Sequence, residues 1–311
     1  MAVVKGCVQT AVVVVLAAGM ASGQRIFRAT TKLVNVAFVA TDAQGALVRN
    51  LGESELQVFE DGDAQKIAFF SPSYDLPLTM GVLLDISGSQ SKFLRQHRKD
   101  LTSFLQAVLQ AHDRAFLLCV DNRLRLVSDY TPSGATLLWT LDHFDAKYGY
   151  PELGPAQPER QEGTGLFDAV YYAASEKLAG QSGRHVLLLY SDGEDNASAQ
   201  DEGSAIAAAE NADATIYTIR YTDAGKLSAR DQYGMAVMNR LADESGGRAV
   251  DGRALEPKQY LPQIAEELRG GYQLAYYPAG ASGAGFHKIV IRCTRPGVTI
   301  RARSGYTETP N

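Results

Sequence analysis

In the stretch GVLLDISGSQS, residues 81 to 91, an apolar run ends in Asp85, Ser87 and Ser89, an acid and two hydroxyls on alternate residues. Alternate residues of an extended turn point to one side, and Gly88 is expected to let the backbone bend tightly around the point where they meet. Two further residues stand at comparable places: Thr164 in GTGLFDAV, at a loop that opens a helix, and Asp192 in LLLYSDGEDN, directly after a second apolar run. The set offers oxygen only, as two carboxylates and three hydroxyls with no imidazole or thiol. Such donors suit a hard divalent cation, Mg²⁺ first, with Mn²⁺ or Ca²⁺ as alternatives. Two carboxylates neutralise the ion without excess, and weak hydroxyl donors leave it electrophilic, so a carboxylate from a partner protein can complete its octahedron. Taken alone, Asp-x-Ser-x-Ser is also a common strand-end and helix-capping pattern. The three-part set on the right elements points to a metal.

Bringing those residues together requires a parallel sheet. From residue 77 to 270, short apolar runs alternate with helical periods, the pattern of a doubly wound, mostly parallel α/β domain of Rossmann-like type. LTMGVLLD (78 to 85) is apolar without alternation, as a strand covered on both faces should be. After it, Leu101, Phe104, Leu105, Val108 and His112 mark one face of a helix. RAFLLCVD and LRLVSDY, with only Asn122 and Arg123 between them, predict a hairpin and an antiparallel edge strand. In such a sheet, ligands bind at the carboxyl ends of the strands, where Asp85 and Asp192 stand.

The flanks have another rhythm. Val34, Val36 and Phe38 alternate, and Val58 is separated from Ile67 and Phe69 by a Glu60-Asp61-Gly62-Asp63 turn. YQLAYYP, HKIVIRC and VTIRAR repeat the style near the end of the chain. Segments 24 to 76 and 271 to 311 are each too small for a core, so they are expected to pack together as one smaller β-sandwich. Residues 1 to 23 carry Lys5, an apolar stretch and a small-residue Ala21-Ser22-Gly23 end, the parts of a secretory signal peptide. The expected location is exported, periplasmic or extracellular, with no membrane span after cleavage.

The set Asp85-Ile86-Ser87-Gly88-Ser89, Gly163-Thr164 and Ser191-Asp192-Gly193 resembles the metal-ion-dependent adhesion site of the von Willebrand factor type A domain, in that order and approximate spacing. The resemblance covers about 77 to 270. The flanks, from Asp42 to Ile67 and from Phe286 to Tyr306, are similar to those of bacterial secreted proteins related to this domain. The resemblance implies that Asp85, Ser87, Ser89 and Thr164 ligate the metal, and that Asp192 binds it directly or through water.

The expected function is therefore a non-enzymatic, exported adhesion module whose metal captures an acidic side chain of another protein. The alternatives are a structural envelope protein that leaves the site unused and a Mg²⁺-dependent hydrolase. The hydrolase lacks a second Asp two residues after Asp85, a GxxxxGK[ST] loop and a GxSxG elbow. A net charge of −5 with no long basic run gives nucleic acid no foothold. The long loop from Asp145 to Gly163 offers Tyr148, Tyr150 and Arg160 as partner contacts, or is simply solvated. Glu194, Asp195 and Glu202 read as solvated surface acids, and His97 and His112 as helix-surface residues. Cys119 and Cys293 read as buried small hydrophobes, and the Asn196-Ala197-Ser198 sequon as incidental.

Overall fold

The structure, a computed structural model, describes residues 33–73, 76–154, 163–223, 227–279 and 283–308, all within the compact unit Lys32–Asn311. The expected signal peptide and Arg160 lie outside the described residues. In chain order the elements are β1 (Val34–Thr41), β2 (Leu56–Glu60), β3 (Asp63–Gln65), β4 (Ile67–Pro72), β5 (Leu78–Asp85), α1 (Leu94–Val108), β6 (Arg114–Val120), β7 (Leu124–Thr131), α2 (Gly134–Asp142) and α3 (Leu166–Tyr172). They continue as β8 (Arg184–Ser191), α4 (Glu202–Asn211), β9 (Ala214–Arg220), α5 (Ala229–Glu244), β10 (Ala249–Asp251), α6 (Pro257–Gly270), β11 (Tyr272–Tyr276), β12 (Gly285–Cys293), β13 (Thr299–Ala302) and β14 (Gly305–Glu308).

Every residue of β5 and of β8 is buried, because both strands are covered on two faces in the middle of a six-stranded sheet ordered β10-β9-β8-β5-β6-β7. All pairs are parallel except β6 with β7, where the short connection leaves no room for a crossover. On one face, Leu101, Phe104 and Leu105 of α1 and Leu261 and Ile264 of α6 pack on Leu84, Leu117 and Leu188. On the other, alanines 169, 173, 205 and 209 let α3 and α4 approach Leu83, Leu118 and Leu187 closely. From β5 the chain first runs outward through β6 and β7, then returns to the other side of β5 with β8. The strand order therefore reverses between β5 and β8, the place where an open α/β sheet leaves a crevice at its carboxyl edge. Leu84 pairs with Tyr190, which sets Asp85 and Ser191 side by side at that edge.

The helical face of α1 is shorter than its periodicity suggests, and one member is misplaced. The helix stops at Val108 and His112 lies exposed beyond it. Asp113 turns the chain there: its Oδ2 accepts the Gln110 N–H at 2.7 Å and its Oδ1 the Leu78 N–H at 2.8 Å. His97, read as a surface residue, is fully buried instead. It stands four residues before Leu101 and seven before Phe104, on the apolar face itself.

The flanking strands interleave. One sheet has the order β13-β1-β11-β4, where strands from the two ends of the chain alternate, and the other β14-β12-β2-β3, where a C-terminal pair meets an N-terminal pair. Val36, Phe38, Val58, Tyr272, Leu274, Tyr276, Ile289 and Tyr306 fill the space between them. Phe38, Phe70 and Tyr272 stack as one cluster, with Phe38 and Phe70 centroids 5.2 and 5.5 Å from Tyr272 and 6.5 Å from each other. The two sheets meet the α/β layer through buried charge. Glu267 of α6 accepts the Tyr217 hydroxyl at 3.2 Å and pairs with Arg248 and with Arg301 of β13. The buried Arg184 donates to the Glu267 and Leu268 carbonyls at 3.1 and 2.9 Å. Removing a buried carboxylate strands its cations, so Glu267→Ala is expected to lower stability by about 3 kcal/mol, read as a reduced midpoint in urea unfolding. An unchanged midpoint would show that the junction carries no such charge coupling.

Candidate metal centre

Asp85 is the last residue of β5 and is 0% exposed. Its Oδ1 accepts the Ser87 N–H at 2.9 Å, which folds the turn back over the strand end. Its Oδ2 accepts the Ser191 hydroxyl of β8 at 2.6 Å. Burial pushes the Asp85 carboxyl up to about 6; the Ser191 and Ser87 hydrogen bonds oppose that rise, and nearby Asp192 adds to it. The next layer lies above it. Ser87 Oγ and Ser89 Oγ are 3.2 Å apart, and the Ser89 hydroxyl donates to Asp192 Oδ2 at 2.6 Å. Asp192 is held from behind by the Gln90 amide at 2.9 Å and through Oδ1 by the Glu194 N–H at 3.1 Å.

Thr164 reaches the same place from a third segment. Its N–H donates to Asn196 Oδ1 at 2.8 Å, and its carbonyl accepts the N–H groups of Asn196 and Ala197 at 3.2 and 3.1 Å. Ser87, Ser89, Thr164 and Asp192 share the lining of one cavity of about 690 Å³ at the carboxyl edge. Asp85 sits beneath that lining, joined to it through Ser87. The glycine that shapes the cavity is not Gly88, whose Cβ position is open space. On the cavity wall it is Gly163, with φ +130°, where a Cβ would stand 2.4 Å from Asn196 Oδ1, and Gly193, with φ +85°, is required by the close approach of the Gly234 carbonyl of α5.

Several neighbours have more definite roles than the sequence suggests. Asp195 is no free surface acid: it caps α3, accepting the Phe167 N–H at 3.0 Å and the Ser198 hydroxyl at 2.5 Å. Glu194 pairs with Arg230, and Glu202 takes Arg240 through two bonds of 2.5 and 2.7 Å. These acids are held because helices α3 and α5 bring donors to them, which local sequence does not reveal. Asp168 was not singled out by spacing, yet its carboxylate accepts the Ala199 and Gln200 N–H groups at 3.0 and 2.8 Å and ties their loop to α3. Its place in the first turn of a helix was the available signal. Tyr148 is 68% exposed, whereas Tyr150 packs on Phe144 with centroids 4.9 Å apart. Bonds from Leu126 to Pro151 and from Leu153 to Leu124 hold that part of the loop against β7. Cys119 and Cys293 are both free thiols, the first buried and the second half-buried.

Behind the centre, His97 packs edge-on against Tyr221 at 4.8 Å and against Tyr190 at 5.2 Å. Neither ring nitrogen has a hydrogen-bond partner, and burial pulls the imidazole down to about 3. A second cluster lies away from this edge. Glu60, Asp61 and His287 place ligand atoms within 4.8 Å of one another and form a potential metal-binding surface. Histidine spacing along the chain hid it, because the pairing of β2 with β12 brings together residues 226 apart.

Neither a family model nor a curated protein matches the sequence. Among solved structures, an aerotolerance-related membrane protein from Bacteroides fragilis is 14% identical, with 61% of this chain and 98% of that chain covered and a TM-score of 0.45. Proximal thread matrix protein 1 from the mussel byssus is 10% identical over 64% and 49%, with a TM-score of 0.46. The vWF domain of the type V pili tip protein Mfa5 from Porphyromonas gingivalis is 18% identical over 38% of each chain, with a TM-score of 0.30. The likeness to each is distant. No helix among the described residues is long and apolar enough to cross a membrane.

Two pH-linked outcomes follow. A carboxyl raised to about 6 in the folded state destabilises the fold once pH exceeds its ordinary value, so Asp85→Asn is expected to stabilise the metal-free chain by about 1 to 2 kcal/mol at pH 7.5 and by almost nothing at pH 3.5. Thermal melts in chelator at the two pH values check this. A histidine held at about 3 resists protonation only when folded, so stability is lost as pH falls from 6.5 towards 3, by on the order of 4 kcal/mol in total. His97→Phe should flatten that part of the acid-unfolding profile; an unchanged slope would assign the acid sensitivity to other groups.

Proposed function

We propose that this is an exported, non-enzymatic module of the von Willebrand factor type A fold that captures a carboxylate of a partner protein through a divalent cation at Asp85, Ser87, Ser89, Thr164 and Asp192. The observation that carries the reading is the 2.6 Å bond from Ser89 to Asp192, which joins residues 103 apart across the strand-order reversal, with Thr164 on the same cavity. Nothing in local folding requires three separate segments to bring hydroxyls and a carboxylate to one point. The donor set fits the ion: Ser87, Ser89, Thr164 and Asp192 offer hard oxygens, and buried Asp85 adds a second negative charge from beneath. A bound Mg²⁺ would supply positive charge with coordination left for a partner's oxygen.

The chain's own residues do the rest. Ser191 and the Ser87 N–H hold Asp85, Gln90 orients Asp192, and Asn196 fixes the Thr164 loop. The cavity rim carries Lys92, paired with Asp223, and Arg230, paired with Glu194. Asp121, Asp192 and Asp231 add further negative charge to the same lining, so the cavity attracts a cation first and a bound dication is what would turn it towards an acidic group. The test is calorimetric titration of Mg²⁺ and Mn²⁺ into the mature chain beside Asp85→Ala and Ser89→Ala, followed by partner capture with and without chelator. The expected result is saturable binding that each substitution weakens at least tenfold, and capture that chelator abolishes. A physiological partner held equally well in chelator and by Asp85→Ala would overturn the mechanism.

A further inference from the structure

We propose that Glu60, Asp61 and His287 form a second metal site that takes a borderline first-row dication of the Zn²⁺ class and clips the N-terminal strands of the sandwich to the C-terminal ones. Register and turn geometry build it. Glu60 ends β2 and pairs with Ile289 of β12. The connection to β3 is Asp61-Gly62, with φ of +52° and +95°, the two positive values of a type I′ turn. That turn sends Asp61 back over β12, where Oδ1 accepts the Lys288 N–H at 2.8 Å and Oδ2 lies 2.8 Å from His287 Nδ1. Glu60 is buried, and its Oε2 accepts the hydroxyls of Tyr276 and Tyr306 at 2.6 and 3.3 Å, which orients the carboxylate.

Hydrogen-bond valence at His287 then calls for a cation. Its Nε2 is 2.8 Å from the Gly283 carbonyl, and its Nδ1 faces the Asp61 carboxylate. Both neighbours only accept, whereas a neutral imidazole has one N–H to give. With that N–H directed to Gly283, the Nδ1 lone pair and the Asp61 Oδ2, 2.8 Å apart, are spaced as two neighbouring ligands of one cation. A proton satisfies the ring alone. Charge favours a dication: the carboxylates of Glu60 and Asp61 stand with Nδ1 of His287 within 4.8 Å of one another, while Glu308 lies on the far side of the ring, 4.0 Å from Nε2. The nearby Arg303, whose guanidinium lies 5.9 Å from the Tyr306 ring, is already engaged by the Glu210 and Asn35 carbonyls and by Asp213.

The donor chemistry selects the ion. One imidazole nitrogen with two carboxylate oxygens is a Zn²⁺-type set, and the carbonyl on the far ring nitrogen is the usual device for holding a ligating histidine in one tautomer. Mg²⁺ and Ca²⁺ prefer oxygen alone. An ion bound there joins segments that only folding brings together, so it stabilises the native state by mass action.

The experiment uses the full chain carrying Asp85→Ala, which silences the centre at the end of β5 and keeps the two sites separate. Zn²⁺ is titrated by calorimetry and thermal melting, and Co²⁺ by visible absorption. The expected result is one Zn²⁺ per chain, a raised melting midpoint, Co²⁺ ligand-field bands, no displacement by excess Mg²⁺, and binding weakened at least tenfold by His287→Gln and by Asp61→Asn. Asp61 lies on an exposed turn, so its substitution decides the matter if His287→Gln does not fold. Absence of Zn²⁺ binding to the Asp85→Ala chain, binding that survives both substitutions, or equal competition by Mg²⁺ would overturn the proposal.

Discussion

The hydrogen bond between Ser191 and Asp85 is the constraint on which the carboxyl edge depends. It joins the ends of the two central strands at 2.6 Å, in a place with no exposure to water. A carboxylate there is costly by itself, and the bond from β8 and the N–H of the following turn offset only part of that cost. The remaining instability is directed at the cavity above, where hydroxyls and a second carboxylate already converge. A fold that tolerates such an acid in its most rigid region gains a fixed reference point, since neither strand can slide without losing the bond.

The same logic governs the rest of the molecule. Charges removed from water are answered by partners from distant segments: Glu267 by Arg248 and Arg301, Arg184 by the end of α6, and Arg303 by carbonyls of β1 and α4. Of these, Arg301 with Glu267 and Arg303 with the Glu210 carbonyl tie the sandwich to the α/β layer with directional bonds, where apolar packing alone would specify orientation weakly. His97 is among the buried side chains left with unpaired polar atoms, and both of its ring nitrogens are so. Its ring fills space among aromatic side chains and leaves two nitrogens unanswered.

Much of this was legible from the chain. Unbroken apolar runs such as LTMGVLLD can be covered only on both faces, so the parallel sheet follows from composition and order. Asp85 and Asp192 follow directly from standing after such runs, and the edge hairpin from a connection too short for a crossover. His97 was also legible: it lies at helical spacing from Leu101 and Phe104, and polarity alone argued for the surface.

What sequence could not supply was pairing between segments. Whether Glu202 or Asp195 is solvated depends on where Arg240 and Phe167 come to rest, and whether Gly88 or Gly193 matters depends on the approach of α5. Tyr148 and Tyr150 look alike in the chain, but only Tyr150 has a packing surface. The cluster of Glu60, Asp61 and His287 is the extreme case, because β2 and β12 meet through strand register across nearly the whole domain. Sequence by itself determined the periodicities, the strand ends and the oxygen-rich residues placed on them, since these depend on neighbours a few positions away. Tertiary structure alone decided which charges are paired, which histidine is buried and which acids come together, because burial and electrostatics act through space and not along the chain.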